Sequence, residues 1–161
     1  MSKLKRSDKL AFLGVSSDEG VTYHRLKNFT EFSVSKNPSS YTRKYVDEDF
    51  ERSDVISYAP KISYSFDFDS ENAAHSAIVN ITDNELIGDS ALCDMVFVDL
   101  SKKDESGAFY ATKRSWSVVP DKEGSDSSAY DYSGTFASGG KMIVGTATSS
   151  DSWESCSFTA K

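Results

Sequence analysis

Residues Val55–Phe68 read VISYAPKISYSFDF, and the parity of their side chains decides the fold class. Ile56, Tyr58, Ile62, Tyr64, Phe66 and Phe68 fall on one parity, and Val55, Ser57, Ala59, Lys61, Ser63, Ser65 and Asp67 on the other. Successive side chains of a strand point to opposite faces, so a period of two predicts a strand with one apolar face and one small, polar face. Pro60 has no N–H to give to a ladder, which predicts a bulge or an edge position in the middle of the run.

Downstream, Asp69 or Ser70 is placed to cap a helix starting near Glu71, and Ala73, Ala74, Ala77, Ile78 and Ile81 recur at spacings of three and four before Gly88 stops it. No other segment reads convincingly as helix. Cys93–Leu100 is a continuous apolar run, the mark of a strand buried on both faces. In Phe109–Val119, also a strand, Tyr110, Thr112, Trp116 and Val118 share one face. Turn-rich stretches at 102–107 and 121–128 lead to a strand over Tyr130–Phe136. Gly139-Gly140 then predicts a tight hairpin into Met142–Thr148, and a last short strand covers Trp153–Thr159. Upstream, Val21–Val34 predicts a strand with an irregularity near Asn28. Seven or so short strands with one helix imply a mainly β domain, a β-sandwich or partly closed barrel with the helix packed against one side.

A chain of 161 residues has room for one domain, and 38% hydrophobic residues suffice for a core that folds without a cofactor. Eighteen basic against twenty-five acidic residues leave a net charge of -7, which disfavours tight binding to a phosphate backbone. Nothing approaches the roughly 20 apolar residues of a membrane span, and the first ten residues are too polar for a signal peptide, so a cytosolic site of synthesis is expected. Those ten hold Lys3, Lys5, Arg6 and Lys9 against Asp8, a net +3 that leaves -10 on the rest. They predict either a loose terminus or an arm, taken over residues 1–15, that docks on an acidic neighbour. Cys93 and Cys156 stand far apart with no Cys-x-x-Cys spacing, and read as reduced packing residues.

His24 and His75 are the two histidines, and with no motif around them both read as surface or packing residues. Nucleophile elbow, phosphate loop, zinc helix and dinucleotide fingerprint are all missing. The acids Asp67, Asp69 and Glu71, and Asp83 with Glu85, lack the spacing of a calcium loop. No catalytic, metal or cofactor-binding residue is therefore assigned, and no enzyme is expected. A carbohydrate-binding module using Tyr130, Tyr132 and Trp153 is the alternative from another class; aromatics of alternating parity are more often core.

The most unusual segment is the connection Lys36–Asp54, KNPSSYTRKYVDEDFERSD. Lys36, Arg43 and Lys44 make its first part basic; Asp47, Glu48, Asp49, Glu51 and Asp54 make its second part acidic. Connections this long without structure are uncommon in compact domains and tend to be functional. Tyr41, Tyr45, Val46 and Phe50 supply apolar anchors of the kind interfaces use. The segment reads as a protruding loop meeting copies of itself head to tail, an arrangement that builds rings and filaments.

The run from Lys36 through Asp67, followed by HSAIVNITDNELIGDSA, a hydrophobic strand and YSGTF at 132–136, resembles the major tail tube proteins of long-tailed phages and phage-derived tail-like particles, over roughly residues 20–148. The resemblance implies a β-sandwich with a flanking helix. Six copies form a ring whose inner strands close a barrel around a channel, and the rings stack into a hollow tube that DNA transits without specific binding. It implies no enzymatic activity, a place in the virion tail after assembly in the host cytoplasm, and the tape-measure, tail initiator and terminator proteins as partners. The inner tube of a contractile bacteriocin or injection particle shares the architecture. Tyr41, Arg43, Lys44, Tyr45, Asp47, Glu48, Phe50 and Glu51 become the contacts between rings or subunits. Ser57, Lys61, Ser63, Ser65 and Asp67 become lumen candidates, although Lys61 leaves the sign of the lumen charge open and the same face could point outward.

Overall fold

The computed structural model describes residues 3–161. In chain order the strands are β1 (Lys9–Ser17), β2 (Gly20–Arg25), β3 (Phe29–Ser35), β4 (Pro38–Arg43), β5 (Arg52–Tyr58) and β6 (Lys61–Asp67). After the helix α1 (Ala73–Asp83) come β7 (Leu92–Lys103), β8 (Phe109–Glu123), β9 (Asp131–Ser138), β10 (Ile143–Thr148) and β11 (Ser155–Ala160).

All pairings are antiparallel, and β8, at 15 residues, organises them. One of its edges holds β7 throughout Phe109–Ser117. Its other edge is shared: Phe109–Lys113 pairs with β10, and Trp116–Glu123 with β9. Because β10 continues through β11, β2, β1 and β7 back to β8, those six strands close into a barrel. Beyond β8 the sheet runs on as β9, β6 and β3, and β4 with β5 forms a separate two-stranded sheet. The expected mainly β fold with one flanking helix is what forms, with the barrel fully closed.

Two cores follow from this split. Inside the barrel lie Leu10, Phe12, Val96, Val98, Ala111, Ala147 and Cys156, and Trp153 packs against them across Phe12 and Phe109 with ring centroids at 6.1 and 5.5 Å. Outside it, α1 lays Ala74, Ile78 and Ile81 over Ile62, Tyr64, Phe66, Trp116, Val118, Tyr132 and Phe136. β7 supplies both, with Val96 and Val98 turned inward and Met95 and Phe97 outward, which is why its sequence is apolar without alternation. β1 does the same with Phe12 and Leu13.

β1 corrects the expected arm over residues 1–15. From Lys9 onward this segment is a central barrel strand between β2 and β7; its neighbouring buried residues Leu10, Phe12 and Leu13 hide the alternation that would have marked it. Residues 1 and 2 of that arm lie outside the described residues. The strand expected over Val21–Val34 is two strands, since Asn28 sits at φ 62 and sends β2 to the barrel and β3 to the far edge of the sheet. The helix is capped by Asn72, whose Oδ1 accepts from the N–H groups of Ala74 and His75, rather than by Asp69 or Ser70. It ends at Asp83, before Gly88.

Gly139-Gly140 makes no hairpin. β9 and β10 lie end to end along the same edge of β8, and 139–142 inserts two extra residues where the barrel and the open sheet part. Gly145 marks closure of the barrel, because a Cβ there would lie 2.2 Å from the Thr159 carbonyl oxygen and 3.0 Å from Ala160 Cα.

Candidate assembly surfaces

The connection Lys36–Asp54 is not an unstructured loop. Ser35 faces Lys61 and Pro38 faces Tyr58, so the register of β3 with β6 passes unchanged into β4 with β5, and Phe29–Asp67 is one long hairpin. It breaks at 36–37 and 59–60, where Asn37 takes φ 45 and Pro60 withholds an N–H. There the Asn37 side chain donates to the Ala59 carbonyl at 3.1 Å, and the Pro60 carbonyl accepts from Ser138 N–H. The strand ladder absorbs what reads in sequence as loop, since Ser, Thr and charged residues pair backbones as well as apolar ones do when neither face has to be buried.

Among the described residues the outer half of this hairpin pairs with no other strand, and its large apolar groups face solvent. Phe50 is 80% exposed, Ile56 64% and Tyr58 59%, with Val46 fully exposed at the tip, while Ile62 and Phe66 of the inner half are fully buried. Tyr41 and Tyr45 are also exposed, each under a guanidinium, Arg43 over Tyr41 at 4.8 Å and Arg52 over Tyr45 at 5.8 Å. Of the predicted contact residues, Glu48 is already engaged: its carboxylate accepts from Arg52 Nε at 2.8 Å and from a second guanidinium nitrogen. It braces the tip from within. Asp47, Asp49 and Glu51 make no ion pair among the described residues.

A second surface is the face of the open sheet opposite α1. Paired rows cross it as Ser33, Ser63, Thr135 and Val119, as Glu31, Ser65, Ser133 and Lys122, and as Ser35, Lys61, Ala137 and Ser117. Asp67 faces Asp131 at its end. Four of the lumen candidates, Lys61, Ser63, Ser65 and Asp67, belong to this face, whereas Ser57 lies beyond the hinge in β5. The sheet here has two open edges among the described residues. β3 has no strand outside it, and β8 has no partner on its β7 side after Ser117. Sequence reading missed these edges because pairing partners are not encoded locally.

The titratable groups serve the fold. His75 is fully buried between Phe29 and Phe66; its Nδ1 accepts from Asp69 N–H at 3.1 Å and its Nε2 donates to the Lys27 carbonyl at 2.6 Å. Loss of hydration lowers its pKa from 6.5, against the opposing pull of the Lys27 carbonyl and Asp69. His24 lies in β2, paired with Leu13 of β1. Both cysteines are free and belong to different cores, and burial pushes each thiol up to about 12. Among the described residues no three acidic, histidine or cysteine side chains group as metal ligands. Tyr130 and Tyr132 adjoin, but Tyr132 is buried under α1 and Trp153 belongs to the barrel core, so the three aromatics form no common platform.

No family model and no curated protein matches the sequence. Among solved structures, the fold is similar to a chain from the tail of an empty GTA particle refined helically with C6 symmetry, at TM-score 0.60 and 13% identity over 98% of this chain and 100% of that one. It is also similar to a chain of the anti-feeding prophage cap that terminates the AFP tube, at TM-score 0.50 and 13% identity over 91% and 93% of the two chains. The chain thus has the fold of phage-type tail components, as the sequence resemblance implied.

Proposed function

We propose that this chain is a non-catalytic structural subunit of a phage-type tail tube, six copies making a ring and rings stacking into a hollow conduit for DNA. The free-standing hairpin carries the reading. An isolated two-stranded sheet is marginal in water, and burying side chains such as Phe50, Ile56 and Tyr58 is worth about 1.5–3 kcal/mol each. A hairpin that leaves all three exposed gains that energy only against another chain. The open sheet supplies the second requirement. Its two free edges allow a neighbour's β3 to add beside the end of β8, and six such additions close a ring with the serine-rich face inward. That face carries carboxylates from Glu31, Asp67 and Asp131 with Lys61 and Lys122, a hydrated wall without a cation cluster to hold a passing phosphate chain.

A terminating cap of a tail-like injection particle is the second reading, favoured by the likeness to the AFP cap. Electron microscopy of concentrated protein, with the mass of the dilute protein measured in parallel, separates the two. Hollow tubes support the tube subunit and single rings that never stack support the cap. A chain that is monomeric at every concentration and also fails to add to tail initiators removes both.

A further inference from the structure

On the outer side of β7 and β8 a groove of about 780 Å³ opens between the N-terminal segment, β3 and the first half of β8. Val34, Phe97, Trp116 and Met142 give it an apolar lining, and Val34 and Met142 are exposed. Around this run six cations, Lys5, Arg6, Lys9, Lys36, Lys102 and Arg114, against one carboxylate, Asp99. Of these six, only Lys9 finds an acidic partner among the described residues, Asp99 at 3.9 Å; Arg6 donates to the Lys9 and Phe32 carbonyls, and Lys102 and Arg114 lie over the Tyr110 and Trp116 rings. Trp116 Nε1 and Arg114 Nε, both buried, have no acceptor there either. In a chain of net charge -7, so many cations that no carboxylate neutralises, set around an apolar surface, fit an occupant that is acidic and apolar together.

The hairpin tip has that composition. Val46 and Phe50 project from it, and Asp47, Asp49 and Glu51 are unpaired. A chain cannot fill its own groove with its own tip. Lys36 lies on the groove, and β4 leads away from it paired with β5 over six residues, with one bulge between Ser39 and Ser40, which at about 3.3 Å each carries the tip roughly 20 Å off.

We infer that the groove receives the hairpin tip of a second copy of this chain, Phe50 and Val46 entering the apolar lining and the tip carboxylates meeting the basic rim. The contact is heterologous, so each copy gives a tip and accepts one, and the chain of contacts need not close. It rests on the tube reading for the expectation that copies meet, and names where they do.

The test uses the full chain with Val46→Cys and Met142→Cys, oxidised at high concentration and run without reductant. Cys156 is buried and Cys93 partly so, and the single variants report any cross-linking that runs through either native thiol. A ladder of trimers and longer species is expected from the pair and not from either single variant. Dimers alone, or no cross-linking, would overturn the inference. Adding Lys36→Glu with Lys102→Glu, or Asp49→Lys with Glu51→Lys, should cut the ladder at least tenfold, and all four changes together should restore it. All six are surface positions, and far-UV circular dichroism checks that each variant folds. A fourfold variant no better than its parents means that the tip meets other cations, which also overturns the inference. Microscopy keeps the two readings apart: tubes without a ladder remove the groove contact, and a ladder without tubes or rings keeps the contact and removes the tube.

Discussion

In β6, Ile62, Tyr64 and Phe66 alternate with Lys61, Ser63 and Ser65; in β5, Ile56 and Tyr58 alternate with Val55 and Ser57. The two strands are halves of one run whose register carries across the hinge before a bulge at Ser39–Ser40, yet the first is buried beneath α1 and the second stands in solvent. β6 has β9 on its free side and a helix above it, so its apolar face is covered within the chain. β5 has only β4. Alternation therefore specifies a strand with an apolar face, and what covers that face is a separate matter, settled for β6 by the chain itself and left open to solvent for β5.

The largest break in this contrast comes from the buried half. Phe66→Ala removes a ring stacked against Tyr64 and Tyr132 and packed on His75, and should lower the unfolding free energy by about 3–5 kcal/mol in chemical denaturation. Next is barrel closure. Gly145→Ala drives a methyl into the backbone of β11 and should cost about 1–3 kcal/mol, read as a lower denaturation midpoint with the β10–β11 amides losing hydrogen-exchange protection first.

Acid should weaken the body through His75. Its folded pKa lies below 6.5, so the unfolded chain binds the proton more readily, and stability is full above pH 6.5 and falls as pH drops from there toward the folded pKa. The slope cannot exceed about 1.4 kcal/mol per pH unit for one proton. Denaturation of the dilute chain from pH 7 to pH 5 should show it, and His75→Gln should flatten it. The carboxylates held low by hydroxyl and backbone donors, Asp99, Asp104, Asp131 and Asp151, lose their contribution only below their usual 3.8 and do not enter this window.

The smallest effect on folding is expected where the proposed effect on assembly is greatest. Ile56→Ser with Tyr58→Ser should change the stability of the dilute chain by less than about 0.5 kcal/mol, because neither side chain is buried in it. The same pair should suppress higher-order species in sedimentation of concentrated protein. A stability loss like that of Phe66→Ala would show that the hairpin folds back on its own body, and the contrast would fail. Glu48→Lys is a poor probe of stacking, since it also breaks the internal pair with Arg52.

The strand parity of Lys61–Asp67, the doubly buried run of β7, the single helix and the irregularities at Asn28 and Pro60 were all legible in the residues, because each arises from neighbours a few positions apart. Periodicity and φ preference act over that range. Which edge a strand joins depends on chain segments far away, and no local pattern shows that β9 and β10 share β8, that Lys9–Ser17 closes the barrel, or that β4 and β5 pair only with each other. The acidic and apolar character of the tip could be read in Lys36–Asp54, but the basic groove could not. Its walls come from β1, β3, β7, β8 and the 139–142 insertion, residues more than 130 positions apart that only folding brings to one place.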